Sequence, residues 1–248
     1  MKLRYWIFLL SMSATCAHAR VFDINKESFA GYFAVGGGSS ALGITSLDNE
    51  AGSSLSYSGG IGQNYSGEFG FLYSKSRLGF RFGIEILKPS VLDSTATSSG
   101  ADYYSASSTI LGFAPKLALE INLHGNQISR SYVSVAGGLA SVTMKNEYTM
   151  TALGSSALGV SDHTAESKGS GTALAASLGY ENILTDTTTI AVEFGYRQLK
   201  IENLQYTKDV STFGGAKTSG DSVKRADGTA RSLDLSGGFI SIGFRFYL

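Results

Sequence analysis

Residues 240–248 read Ile240-Ser241-Ile242-Gly243-Phe244-Arg245-Phe246-Tyr247-Leu248. Ile240, Ile242, Phe244, Phe246 and Leu248 share one phase of a period of two, and Ser241, Gly243, Arg245 and Tyr247 share the other. That period belongs to a strand, whose successive side chains point to opposite faces. The stretch is therefore a strand with one wholly apolar face and one face that holds an arginine. Such a strand closes either a soluble sandwich or a barrel, and the rest of the sequence has to decide between them.

The opposite end speaks for export. Lys2 and Arg4 precede an apolar run, Tyr5 to Leu10, and Ala17-His18-Ala19 has the small-x-small form of a cleavage site. These features predict a signal peptide over residues 1–19, with Ala17 and Ala19 as the small residues of its cleavage site, and a single domain over 20–248. A lipoprotein site at Cys16 is the alternative, but Ser13-Ala14-Thr15 supplies no aliphatic residue before it. The exported chain would keep 248 − 19 = 229 residues. Loss of Lys2 and Arg4 leaves 18 bases against 20 acids, a net charge of −2, and no cysteine.

Composition then removes whole classes of function. A near-neutral chain without a basic run offers no electrostatic footprint for nucleic acid. Without cysteine there is no disulfide and no thiolate metal site, and no motif for another metal or a cofactor is present. Beyond the leader no apolar run approaches the ~18–20 residues of a membrane-spanning helix. Thirty-one glycines, two prolines, 14 Phe with 13 Tyr, and 16% charged residues against a usual ~25% place the chain in the all-β class. No linker marks a second domain.

The period of two recurs along the chain. One phase collects Phe29, Phe33 and Val35; then Tyr65, Phe69, Phe71 and Tyr73; then Leu78, Phe80, Phe82, Ile84 and Ile86. The clearest run is Leu111, Phe113, Leu117, Leu119, Ile121 and Leu123, with Pro115 in the same phase. A proline inside a strand belongs at an edge or a bulge, so Pro115 is expected at a bulge or at the rim of a barrel. Val133, Val135 and Leu139, then Leu174, Ala176, Leu178 and Tyr180, then Ile190, Val192, Phe194 and Tyr196 bring the count to eight with the closing strand. Connections near 74–77, 124–129 and 183–188 are short, whereas 47–59, 88–106, 148–170 and 207–230 are long and rich in Ser, Thr, Gly and Ala. Part of 148–170 could supply two further strands.

Alternation alone does not say which face is inside. The second phase decides, because it is mostly Gly, Ala and Ser, including Gly70, Gly79, Gly83, Gly112, Ala118, Ser177, Gly179 and Gly195. A water-facing surface would be about a quarter to a third charged. The charges of that phase are Glu68, Arg81, Glu85, Lys116, Glu120, Glu181, Glu193, Arg197 and Arg245. In an eight-stranded barrel the interior is just wide enough for side chains to fill, so these five acids and four bases are expected to pair there as a plug. The alternative is that they line an ion path.

A leader, eight alternating strands, four long loops and the terminal Phe-x-Phe-Tyr-Leu resemble the small transmembrane barrels of the OmpA, OmpX and OmpW type. The resemblance implies an up-and-down barrel in the outer membrane of a Gram-negative bacterium, in contact with lipid and lipopolysaccharide. It also implies that Ile240, Ile242, Phe244, Phe246 and Leu248 serve as the assembly signal read by the barrel-assembly machinery. A monomer is expected, with no peptidoglycan-binding domain after the last strand. The leading functional expectation is a non-enzymatic surface protein that supports envelope integrity, or meets an extracellular ligand or surface through its loops. The alternative is a narrow channel for small or apolar solutes, as OmpW-type barrels are thought to provide.

Catalysis would need an organised base. Beyond the leader the histidines are His124, in a short turn, and His163, which follows Asp162 in a long loop. An Asp162-His163 pair could orient an imidazole, but a polar loop is a poor place to hold it. Tyr73, Phe246 and Tyr247 at one end, and Tyr65, Tyr103, Tyr104, Tyr148 and Tyr206 at the other, are expected to form interfacial girdles. The long loops, low in apolar residues, are expected to build no large core of their own.

Overall fold

In the computed structural model the residues described are 23–248, apart from 25, 27, 41, 43–46, 53 and 58–61. The expected leader, with Ala17 and Ala19, lies outside the described residues. In chain order the elements are β1 (Phe29–Ser40), β2 (Ser56–Tyr57), β3 (Gly62–Lys75), β4 (Leu78–Pro89), β5 (Leu92–Ser98), β6 (Ala101–Gly125), β7 (Ser129–Met150), α1 (Ala152–Leu158), β8 (His163–Ile183), β9 (Thr188–Tyr206), β10 (Val210–Thr212), β11 (Gly215–Lys217), β12 (Leu233–Asp234) and β13 (Gly237–Tyr247).

Eight of these strands form a closed ring, β1-β3-β4-β6-β7-β8-β9-β13, with every neighbouring pair antiparallel. Closure is made by the sequence read first: β13 returns to β1 from Ala30↔Tyr247 to Gly38↔Phe239. Phe33 stacks on Phe244 across that seam at 5.3 Å between ring centroids. A closed ring leaves no strand edge unpaired.

The apolar phase faces out. Phe33, Phe69, Phe71, Phe80, Phe82, Phe113, Leu117, Val135, Leu178, Phe194, Ile242 and Phe246 are all exposed, and the charged phase is inside. The ring is uneven in height. At ~3.4 Å per residue and a tilt of ~40°, β1 rises about 31 Å, close to the ~25 Å of an apolar band, whereas β6 rises about 65 Å. The tall wall is β6 to β9, widened by β5 on β6, β2 on β5 and β12 on β9.

Along the tall strands both faces change character at one level. The exterior of β7 runs Val133, Val135, Leu139 and then Ser141, Thr143, Lys145, Glu147, while its interior runs Arg130, Tyr132, Ser134 and then Val142, Met144. On β9 the exterior passes from Phe194 and Tyr196 to Gln198 and Lys200 as the interior passes from Glu193 and Arg197 to Leu199 and Ile201. On β4 the same step takes Ile86 to Lys88 outside and Glu85 to Leu87 inside. Below the level the barrel is apolar outside and charged inside. Above it the order is reversed.

Several expectations are corrected here. The segments 101–106, 148–150 and 163–170 are strand rather than loop, extending β6, β7 and β8, and the ring keeps the eight strands expected of it. Between β7 and β8 stands α1, where Thr151 accepts a hydrogen bond from the Gly154 N–H at 3.0 Å and Gly159 closes the helix at φ 69°. A Thr cap and a left-handed Gly are its local signals. Pro115 marks neither a bulge nor the rim. It faces outward opposite Ile84 in unbroken register with β4, and the β6–β7 ladder passes from Phe113↔Ser141 to Lys116↔Gly138 with no shift. The irregularity in β6 lies instead between Asn122 and His124.

The loops do build a core. Leu42, Leu47, Leu55, Leu92, Val223, Leu233 and Leu235 bury themselves against Leu87, Ile110, Val142, Met144, Leu199 and Ile201 inside the tall wall. Asn203, at φ 56°, sits where the β8–β9 register shifts, and it moves Leu204 and Tyr206 onto the inner face. Tyr104, Tyr148 and Tyr206 are therefore buried in this core, and Tyr247 is buried in the charged interior. None of these four belongs to a girdle. Tyr65, Tyr73 and Phe246 do face outward.

Candidate functional site

The interior below the switch level gathers all nine charges expected there. Period-two spacing points each inward, and the glycines opposite leave room for long side chains. A Cβ on Gly179 would run into the Tyr132 ring, and one on Gly83 into the Tyr32 hydroxyl. Glycine is thus what allows an aromatic ring and a guanidinium to share a narrow barrel.

Near the short turns Arg245 is the hub. Its Nη1 donates to Glu120 at 3.0 Å and Glu181 at 2.8 Å, and its Nη2 donates to Glu120 at 2.8 Å and the Tyr132 hydroxyl at 2.7 Å. Arg130 joins this tier from the start of β7, donating from Nε to Glu181 at 2.7 Å and from Nη1 to Asn122 at 3.2 Å. Tyr247 and Thr189 donate to the other Glu181 oxygen. Each charge comes from a different strand, so the tier ties the ring across its axis.

One level higher Arg81 donates to both oxygens of Glu193 and lies 3.2 Å from Glu120. Tyr132 and Ser177 also donate to Glu193, at 2.8 and 3.2 Å. Higher again, Lys116 bridges Glu68 at 2.6 Å and Glu85 at 3.3 Å, and Arg197 meets Glu85 at 3.0 Å. The Tyr32 hydroxyl donates to Glu68 at 2.6 Å. The Arg81 guanidinium lies 5.5 Å from the Tyr32 ring centre and that of Arg245 5.0 Å from the Tyr132 ring, within cation–π range.

Arg130 is the residue that the sequence reading misses. It stands two residues before Tyr132 in the inward phase, but a turn over 124–129 with a strand beginning at Val133 leaves it out. With Arg130 included, five carboxylates (Glu68, Glu85, Glu120, Glu181, Glu193) meet five cations (Arg81, Lys116, Arg130, Arg197, Arg245). Unpaired, each buried ion would cost several kcal/mol, which only close pairing with further hydrogen bonds offsets.

The remaining chemistry is sparse. Among the described residues no group of His, Cys, Asp and Glu could hold a metal ion. His124 is exposed near the bulge at the short-turn end. Asp162 does not orient His163: its Oδ1 accepts from the Met150 N–H at 2.7 Å, and His163 Nδ1 faces the Ser161 carbonyl at 2.9 Å. Ile240, Ile242, Phe246 and Leu248 form an exposed apolar row along β13, with Phe244 half-buried against Phe33.

No family model and no curated protein match the chain. Among solved structures, the chain is similar to neisserial surface protein A at 11% identity, over 89% of this chain and 97% of that one, with a TM-score of 0.43. It is similar to Ail, the attachment invasion locus protein of Yersinia pestis, at 12%, over 90% and 99%, with a TM-score of 0.37. A third is a major outer membrane protein from Thermus thermophilus, at 13%, over 88% and 99%, with a TM-score of 0.44. Independently of these likenesses, eight antiparallel strands in a ring, short turns at one end, long connections at the other, an apolar outer band and a charged interior make this the architecture of the small outer-membrane barrels.

Proposed function

We propose that the protein is a non-enzymatic, monomeric surface barrel of a Gram-negative outer membrane, exported by the leader over residues 1–19 and closed to ion flow. Its exposed apolar band would meet lipid and lipopolysaccharide acyl chains, and the row along β13 would serve as the strand read by the assembly machinery. The observation that carries this reading is the succession of two interiors along one axis, the lower one closed by paired charges. The charge-balanced tiers come first and the apolar core of the tall wall follows. Between them lies a cavity of about 40 Å³, bordered by Glu68, Arg81, Lys116 and Arg197 on one side and Ala136 and Ala173 on the other. That is room for a few waters at most. With the lumen closed, function falls to the tall end, which would support envelope integrity or make contacts at the cell surface.

The test is planar-bilayer conductance of residues 20–248 refolded in detergent, with folding checked by heat-modifiable gel mobility. The reading expects a folded barrel with no discrete openings. Reproducible openings would transfer the ionic tiers to the narrow-channel reading.

A further inference from the structure

Just above the switch level the outer face of the wall is ordered by charge. Climbing from the apolar band, the first outward charge is a lysine on each of β4, β7, β8 and β9: Lys88, Lys145, Lys168 and Lys200. On the last three an acid follows two residues higher, as Glu147, Glu166 and Glu202. A layer of ammonium groups therefore lies against the band, with the carboxylates held above it. At the edge of a membrane the groups that meet such a layer are the anionic headgroups of lipid.

In this layer the wall is notched. β9 carries one residue more than β8 where Lys168↔Gln205 gives way to Ser170↔Glu202, and Asn203 takes up the extra length at φ 56°. Gly169 stands across from this bulge, where a Cβ would come within 2.7 Å of Ile201. The result is an open notch of about 500 Å³, bordered by Ser141, Lys168, Ser170, Gln205, Thr207 and Ser219. All six are partly or fully exposed, so a molecule outside the barrel can reach them. Bulges re-aim side chains beside functional sites. Ser141 pairs with Ser170 two residues above the Leu139↔Thr172 pair, so the notch begins where the apolar band ends. Lys168 stands opposite Thr143, roughly 10 Å above Leu139 along the axis.

The notch offers hydroxyls, amides and one ammonium. Among the described residues no Asp or Glu borders it. The nearby acids are taken, Glu166 by Lys208 at 2.9 Å and Glu202 by Lys200 at 3.0 Å. Lys168 makes no ion pair among the described residues. A phosphate answers that ammonium, and sugar hydroxyls answer the serines and the Gln205 amide. We propose that the notch holds the phosphorylated sugar headgroup of a glycolipid in the outer leaflet around the barrel. The inference rests on the outer-membrane reading and deepens it, since lipopolysaccharide would then be held at one place by its headgroup as well as around the band by its acyl chains.

Calorimetric titration of the refolded barrel, with residues 20–248 in non-ionic polyoxyethylene micelles, tests it with three probes. These are lipid A carrying its phosphates, the same lipid A without them, and glucosamine 6-phosphate free in solution. Phosphorylated lipid A should bind about fivefold more tightly than the stripped form. Lys168→Met should abolish that preference and Lys168→Arg should keep it. Ser170→Trp, which fills the notch and leaves the charge in place, should weaken binding of the phosphorylated lipid. Lys88→Met removes a cation of the same layer outside the notch and should matter less. Equal binding of the two lipid A forms, an unaltered preference in Lys168→Met, or an equal loss in Lys88→Met would overturn the assignment. Glucosamine 6-phosphate bound as tightly as the lipid would overturn the membrane source. A silent bilayer record without a phosphate preference retains the closed barrel and removes only the notch's role, whereas discrete openings with the preference intact do the reverse.

Discussion

The two halves of this barrel are inside-out versions of each other. Below the level of Glu85, Ala140 and Arg197 the wall turns phenylalanine and leucine outward and buries ion pairs. Above it the same β7 and β9 turn Thr143, Lys145, Lys200 and Glu202 outward and bury Val142, Met144, Leu199 and Ile201. One set of strands therefore serves two solvents. The lower half suits a surrounding that offers no hydrogen bonds, where a closed ladder satisfies the backbone and charges are tolerated only inside. The upper half is a wall, β2-β5-β6-β7-β8-β9-β12, polar outside and closed over an apolar inner face by the long connections, held by apolar burial at ~25 cal/mol per Å². The inversion level is thus a direct reading of where the membrane should end.

The largest expected effect comes from breaking the ionic half. Replacing Arg245 by methionine leaves Glu120 and Glu181 facing each other with Arg130 and Arg81 as their remaining cations. Removing one partner of a buried pair costs about 3–5 kcal/mol. The heat-modifiable transition should fall well below that of the parent, and an unchanged midpoint would show that the tiers do not hold the barrel. Moving a charge across the inversion level should have the next largest effect. Leu117→Lys, in the apolar band, should cost about 2–4 kcal/mol, falling toward zero near the interface, while Thr143→Lys above the level should be neutral. Equal effects would erase the comparison.

The upper half can be loosened by base. Burial and the Glu50 carboxylate push the Tyr148 hydroxyl well above the ordinary tyrosine range. A folded value above the unfolded one means stabilisation that is complete below the unfolded value of about 10 and is lost progressively as pH rises beyond it. Proteolysis of the 207–232 connection should therefore accelerate above about pH 10 before the ring of eight strands opens. The smallest effect is at the surface. Lys208 meets Glu166 at 2.9 Å with most of its side chain in water, so Lys208→Met should leave the unfolding midpoint unchanged.

The ring and its polarity were legible because period two carries a face assignment, and the glycine-rich inner phase says what kind of interior it lines. The upper half was not, for a physical reason. Its apolar residues stand one per turn of loop, as Leu42, Leu47, Leu55, Leu233 and Leu235 do, and they become a core only when the tall wall brings them together. Inside the strands the exchange of phases at Leu87 and Leu199 leaves the period intact and reverses its meaning, so a reading that fixes one apolar face per strand overlooks it. Asn203 then shifts the phase of β9 by one residue, hiding Leu204 and Tyr206 among polar neighbours. Arg130 is hidden for a simpler reason, since it stands beside a polar turn whose end the sequence does not mark.

The absence of cysteine from residues 20–248 makes the inversion level directly measurable. Leu139→Cys and Thr143→Cys place single thiols on the same outer face of β7, one on each side of the level and roughly 10 Å apart along the axis at ~3.4 Å per residue. In outer-membrane vesicles treated with a membrane-impermeant maleimide, residue 143 should label at once, and residue 139 only after detergent. Equal labelling of the two in intact vesicles would contradict a membrane boundary at the point where the barrel turns inside out.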